Sequence, residues 1–285
     1  MPPIAAMISM GWEMSERWFF VVLIFVIVAG MDTPALATDR IIVTGSSTVA
    51  PLVAEIGKAF EVQNPEIRVD VQSGGSTRGI IDVRSGLADI GMISRSLSED
   101  ENDLIGFELA RDGVGLILHR QNGVPALSRQ QIVDIFTGRV TDWKDVGGRP
   151  GRITVVNKAE GRSTLELFLA YFDLGVRDIA AHVVIGDNQQ GIKTVAANPG
   201  AVGYVSIGTA EFEIGSGTPI RLLGLRGIEA TVANVRNGTY PLARPLTLVI
   251  RPAEKDRLGG FIEFARSPQI HEIIQGQFFV PSQPR

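Results

Sequence analysis

From Ile41 onwards, short β-branched runs alternate with stretches of helical apolar spacing. Ile41-Ile42-Val43 is followed by Thr44-Gly45-Ser46-Ser47. Val49, Leu52, Val53, Ile56 and Phe60 then recur at helical intervals. That spacing predicts a helix with Pro51 in its first turn, where a missing N–H does little harm, and Asn64-Pro65 as its stop. The alternating run Ile67-Arg68-Val69-Asp70-Val71 predicts a strand that leads into Ser73-Gly74-Gly75-Ser76-Thr77. A second helix is expected over about 77–85, ending at Gly86, and Ala88 to Ile93 reads as a buried strand. The same grammar returns at Ile153-Thr154-Val155-Val156, then a loop from Asn157 to Arg162, then a helix with Leu165, Phe168, Leu169 and Phe172 on its apolar face. There Ser163-Thr164-Leu165-Glu166 matches a capping box. Strand, polar loop and helix in repetition predict an α/β protein with a mostly parallel sheet. Val114 to Leu118 and Leu246 to Ile250 are short apolar strands read as crossings between two lobes. Lobe one is then expected from 38–115 and 247–285, and lobe two from 116–246.

The N-terminal segment changes where the fold should begin. Trp18 to Ala29 is an unbroken apolar run behind Arg17, and Ala35-Leu36-Ala37 offers a small-residue cleavage site. A run of this length suits a signal peptide better than a membrane span. Residues 1–37 are therefore expected to be removed on export, with an uncleaved anchor as the alternative. Glu13 and Glu16 are unusual for the start of such a signal, and a start at Met14 would be more ordinary. Removing one basic and three acidic residues leaves 26 against 28, a net charge of −2 in place of −4. Such a balance argues against a general nucleic-acid surface without excluding a local positive pocket. With 45% hydrophobic residues and 20% charged, the chain is globular and neither disordered nor fibrous. It has no cysteine, hence no disulfide framework and no lipid-attachment thiol. A soluble periplasmic protein, monomeric and without a cofactor, is the expectation.

The chemistry concentrates where small hydroxyl residues fall. Ser46-Ser47-Thr48, Ser76-Thr77 and Ser163-Thr164 each lie between a strand and the start of a helix. A helix N-terminus exposes unpaired N–H groups and about half a positive charge, so it attracts anions. Each cluster could equally cap its own helix; three together, with Gly74, Gly75 and Gly161 beside two of them, favour an anion site. Arg95, Lys158 and Arg162 stand at the same loops, where Arg suits bidentate pairing with an oxyanion and Lys acts as a point charge. Signals for catalysis are absent from the sequence. No cysteine nucleophile exists, His119, His182 and His271 are scattered, and neither a phosphate-loop motif nor a serine elbow occurs.

With those residues in hand, the chain resembles the periplasmic phosphate-binding proteins of ABC-type phosphate transport, the PstS-like family. The resemblance rests on TGSSTVAPLV at 44–53, QSGGSTRGI at 72–80, ADIGMISR at 88–95 and LSRQQIVDIFTGRVTDWKDVGG at 127–148. It continues through VVNKAEGRST at 155–164, NPGAVGYVS at 198–206 and YPLARPLTLVI at 240–250. It implies a two-lobe, type II periplasmic-binding-protein fold with a ligand cleft between lobes joined by two crossing strands. It also implies that inorganic phosphate is held by Ser47, Thr48, Ser76, Ser94, Arg95 and the loop Lys158 to Thr164, and is delivered to an ABC permease. The family's third loop usually reads G-S-G-T with an upstream arginine. This chain has Gly161-Arg162-Ser163-Thr164 with Lys158 upstream, so a guanidinium enters the loop and Ser163 replaces a glycine. Phosphate near neutral pH keeps a proton that sulfate lacks, so a carboxylate acceptor would favour phosphate. Some members carry Asp where this chain has Arg95, which leaves Glu160 as the candidate acceptor. Alternatives are a receptor for molybdate, tungstate or sulfate, a secreted phosphoester hydrolase using the same pocket, and a sensor or adhesion module on the same fold.

Overall fold

The computed structural model describes residues 39–282; the expected signal segment, 1–37, lies outside them. β1 (Asp39–Gly45) leads through α1 (Ala50–Gln63) to β2 (Ile67–Ser73), and α2 (Ser76–Ser85) leads to β3 (Ile90–Ile93). The long β4 (Ile105–His119) precedes α3 (Arg129–Phe136), β5 (Thr154–Lys158), α4 (Ser163–Phe172), β6 (Val183–Ile185), α5 (Asn188–Ala197) and β7 (Ala201–Ser206). The chain then forms α6 (Ile207–Gly215), β8 (Ile220–Leu223), α7 (Val232–Arg236) and β9 (Ala243–Ile250). It ends in α8 (Lys255–Ala265), α9 (His271–Gly276) and β10 (Val280–Pro281). Among the described residues, no helix is long and apolar enough to cross a membrane.

Two parallel strand sets meet at a central antiparallel pair. β1 runs parallel to β2 and β3, and β5 runs parallel to β6 and β7. Between them β4 lies antiparallel to β9 over Ile105–Gly113, then exchanges that partner for β7 from Val114 and β8 from Leu116. The parallel expectation thus holds within each half, whereas the strands that join the halves are antiparallel to their neighbours. The change of partner comes at Gly113–Val114, and the return at Leu242–Ala243, where Val114 N donates to Leu242 O. Both points lie a few residues earlier than the apolar runs imply. Leu246 to Ile250 belongs wholly to the first half, paired with β3 and β4.

The hydrophobic cores follow the same division, giving the two-lobe α/β fold its physical basis. One core joins Val43, Leu52, Ile56, Phe60 and Met92 to Leu248, Phe261 and Ile274. The other joins Val114, Leu118, Ile132, Phe136 and Phe168 to Val202, Tyr204 and Leu242. In α1 the helical spacing buries Leu52, Val53, Ile56 and Phe60, and Phe60 meets the rings of Phe261 and Phe264 edge-on at 5.2 Å. Burial of each large side chain contributes ~1.5–3 kcal/mol. Such packing anchors α1 to α8 and fixes the height at which its N-terminal loop meets the second lobe.

Candidate anion-binding site

Three strand-to-helix junctions converge on one cavity of ≈ 10 Å³, about room for a single water-sized sphere. Its wall is Ser46, Ser47, Thr48, Gly75, Ser76, Ser94, Lys158, Arg162, Ser163 and Thr164. The first loop follows β1 and starts α1, the second follows β2 and starts α2, and the third follows β5 and starts α4. In such junctions the first-turn N–H groups have no acceptor inside the helix, so they face whatever occupies the space beyond. Gly75 permits the closeness of the second and third loops. It sits at φ +101°, and a Cβ there would lie 2.6 Å from Gly161 O and 2.7 Å from Arg162 Nη1. Neither conformation nor space admits a side chain.

The serines and threonines do not behave as ordinary caps. Val49, Gly75 and Arg162 occupy the cap positions of α1, α2 and α4, none with a capping side chain. The capping box read at Ser163–Glu166 is corrected accordingly. Ser163 already lies inside the helix, and its buried Oγ has no partner, while Glu166 reaches forward to Thr77 and Arg95 instead of back. Hydroxyls that do not serve their own helices are free to serve a ligand.

Beneath this wall lies a residue that the motif reading passes over. Arg244, on β9, is 1% exposed and pairs with the equally buried Asp112 of β4 at 3.0 Å. Its remaining donors go to Thr164 Oγ1 at 2.9 Å, Ser94 Oγ at 3.1 Å and Thr48 Oγ1 at 3.2 Å. One guanidinium therefore ties together hydroxyls from the first loop, the end of β3 and the third loop. Asn188 extends the network, donating to Thr48 Oγ1 at 3.0 Å and accepting from Lys158 Nζ at 3.0 Å. Burial, then the nearby Arg244, pulls Lys158 down from 10.5 to about 7, with Arg162 adding to the effect and Asp187 opposing it. Burial likewise lowers Arg244, although Asp112 opposes the shift. Three basic groups against the carboxylates of Asp112 and Asp187 leave the cavity short of negative charge.

Eight of the ten residues expected from sequence stand in this wall: Ser47, Thr48, Ser76, Ser94, Lys158, Arg162, Ser163 and Thr164. Arg95 does not. Its guanidinium turns away to Glu101, at 2.7 Å through both Nη atoms, and to Glu166 at 3.1 Å. Two carboxylates outcompete a cavity that is itself electropositive, and they raise the Arg95 pKa further, Glu101 foremost. Glu160 is exposed and stands outside this wall, so it supplies no acceptor there. Arg78 pairs with Asp82 along α2 at 3.0 Å. Arg244, Asp112 and Asn188 are the residues that sequence reading missed. The available signal was Arg244 as the single charge in the apolar strand β9, where an unpaired charge would not be tolerated; Asp112, with Glu108 and Arg111 near it in β4, gave none. Among the described residues no cluster of His, Cys, Asp and Glu could hold a metal.

Comparison with known proteins places this geometry in company. A family model described as a PBP superfamily domain matches residues 32–269. The phosphate-binding protein PstS of Bacillus subtilis is 27% identical over 251 residues, covering 86% of this chain and 81% of its own. A solved structure of a phosphate ABC transporter substrate-binding protein from Clostridium perfringens, with bound phosphate, superposes with a TM-score of 0.79 at 28% identity. The match covers 86% of this chain and all of that one. An ABC-type phosphate transport receptor from Vibrio cholerae gives a TM-score of 0.70 at 31% identity, covering 85% of this chain and all of that one.

Proposed function

This chain belongs to the PBP superfamily, among its PstS-like members, and we propose that it captures inorganic phosphate and hands it to an ABC permease. The observation that carries this reading is the convergence of three helix N-termini, six buried hydroxyls and two basic side chains on one small cavity. The donors suit a compact tetrahedral oxyanion, which the lobes have to part to admit, since the cavity as it stands has room for about one water. A micromolar affinity needs about 8 kcal/mol. Charge-assisted hydrogen bonds contribute roughly 1.5–3 kcal/mol each, so a few of them suffice even after the lobes close. The relatives cited are transport receptors and binding proteins, and the site has no nucleophile paired with a base, so turnover is not part of the reading. Export through the segment 1–37, a periplasmic location and action as a monomer complete the proposal.

Isothermal titration of the protein with phosphate, beside its Arg162→Glu variant, tests it. Phosphate is expected to bind the wild type, and the variant, which puts a carboxylate in the cavity wall, is expected to lose at least a hundredfold in affinity. Unchanged affinity in the variant would remove the third loop from the site. No phosphate binding by the wild type would end the proposal.

A further inference from the structure

A hydroxyl oxygen accepts two hydrogen bonds and donates one, and around this cavity the acceptor places are unevenly filled. Thr48 Oγ1 already accepts from Asn188 Nδ2 and from Arg244 Nη2. Ser94 Oγ accepts from Ser46 Oγ and from Arg244 Nη1, each at 3.1 Å. With both lone pairs occupied, each has only its proton left to offer. Thr164 Oγ1 has one place taken by Arg244, and Ser76 Oγ one by the Ser94 amide at 3.3 Å. Arg162, and Lys158 once charged, donate only. The carboxylate of Asp112 lies beneath the wall, engaged by Arg244 and by Gly208 N at 3.2 Å. Ser46 Oγ also has one place taken, by Thr48 N at 3.2 Å. Among the buried hydroxyls of the wall, Ser163 differs from all of these. Its Oγ is buried in the cavity wall with no partner, so both lone pairs and its proton are uncommitted.

We propose that Ser163 determines specificity by accepting the single proton of a monohydrogen oxyanion, while Arg244 positions Thr48 and Ser94 as pure donors. Resting on the phosphate reading above, this sharpens it to HPO4 2− in preference to any fully ionised tetrahedral anion. A protonated oxygen turned towards Thr48 or Ser94 would face a proton with a proton. Turned towards Ser163 it finds a lone pair, and the other three oxygens keep the donors. Sulfate meets the same donors but has no proton to give, so it gains from Ser163 only one donated bond. A hydroxyl thus does the work for which a carboxylate would otherwise be needed, without adding negative charge beside a dianion.

The test is titration of the wild type, Ser163→Ala and Ser163→Gly with phosphate and with sulfate, where phosphate carries one proton, alongside thermal midpoints. Wild type is expected to prefer phosphate. In both variants the ratio of phosphate to sulfate affinity is expected to fall about tenfold, as an unmet proton in a desolvated site requires, with midpoints close to wild type. An unchanged ratio overturns the role of Ser163 even if both affinities drop, since that marks an ordinary donor. The wild-type comparison needs no variant: equal affinity for the two anions overturns the inference and leaves an anion receptor standing. A wild type that binds neither removes the function proposed above, and this inference with it.

Discussion

Lys158 is a side chain through which pH acts on the site. Burial, with Arg244 second, holds its ammonium at about 7 in the free cavity, against 10.5 when unfolded. Between those values the unfolded chain binds a proton that the folded one does not. The contribution of Lys158 to stability is therefore present above the unfolded value and is lost as pH falls towards about 7. Binding has the opposite sign. A dianion beside Nζ restores the charge, so the complex takes up a proton, and affinity for the monohydrogen dianion declines as pH climbs past about 7. Calorimetry in buffers of different ionisation enthalpy should show proton uptake on phosphate binding above neutrality, reduced in Lys158→Met by the share that Lys158 carries. Equal uptake in that variant would assign the proton elsewhere.

At the scale of elements, the site is a meeting of loops whose spacing Gly75 sets. Gly75→Ala would force a φ of +101° on a residue with a Cβ and press that Cβ into Gly161 O and Arg162 Nη1. The clash lies between lobes, so parting them relieves it. Phosphate affinity is expected to fall tenfold or more, while the thermal midpoint of the free protein falls by only the backbone strain of roughly 1–3 kcal/mol. A midpoint collapse with unaltered affinity would contradict this placement. The element scale also shows why the three junctions were legible in the sequence and their floor was not. A strand, a hydroxyl cluster and a helix are neighbours along the chain, so Ser47, Ser76 and Thr164 announce themselves by local pattern. Arg244 acts on Thr48, Ser94 and Thr164 across 196, 150 and 80 positions, and periodicity over a dozen residues has no view of that. Local pattern also misleads. Ser163 to Glu166 fits a capping box in spacing, yet Arg162 takes the cap position, because the hydroxyl faces the cavity and the carboxylate faces the other lobe. Arg95 departs from its expected place for a related reason: its position at a strand end is visible in the sequence, while the carboxylates that claim it are Glu101, six residues on, and Glu166, far along the chain.

Over the whole molecule, Arg95 gains a different part to play. Anchored on Glu101 in the first lobe, it reaches Glu166 of the second at 3.1 Å, and Thr77 Oγ1 donates to the same carboxylate at 3.3 Å. Thr77 N to Gly161 O, at 3.3 Å, lies beside them. These contacts clasp the lobes at the rim, outside the cavity, so they act on closure without touching the ligand. The strength of the clasp is bounded: with the Glu166 side chain 40% exposed, an ion pair of this kind contributes ~0–1 kcal/mol. A receptor that must also surrender its cargo is served by that modesty, since a permease that draws the lobes apart has to break the clasp. Glu166→Gln should therefore weaken phosphate binding by no more than about fivefold, through faster dissociation and with little change in association. Stopped-flow release rates would register the change, and small-angle scattering would show the free variant more open than wild type. Release at the wild-type rate would mean that the hydroxyl wall and its anion hold the lobes together unaided.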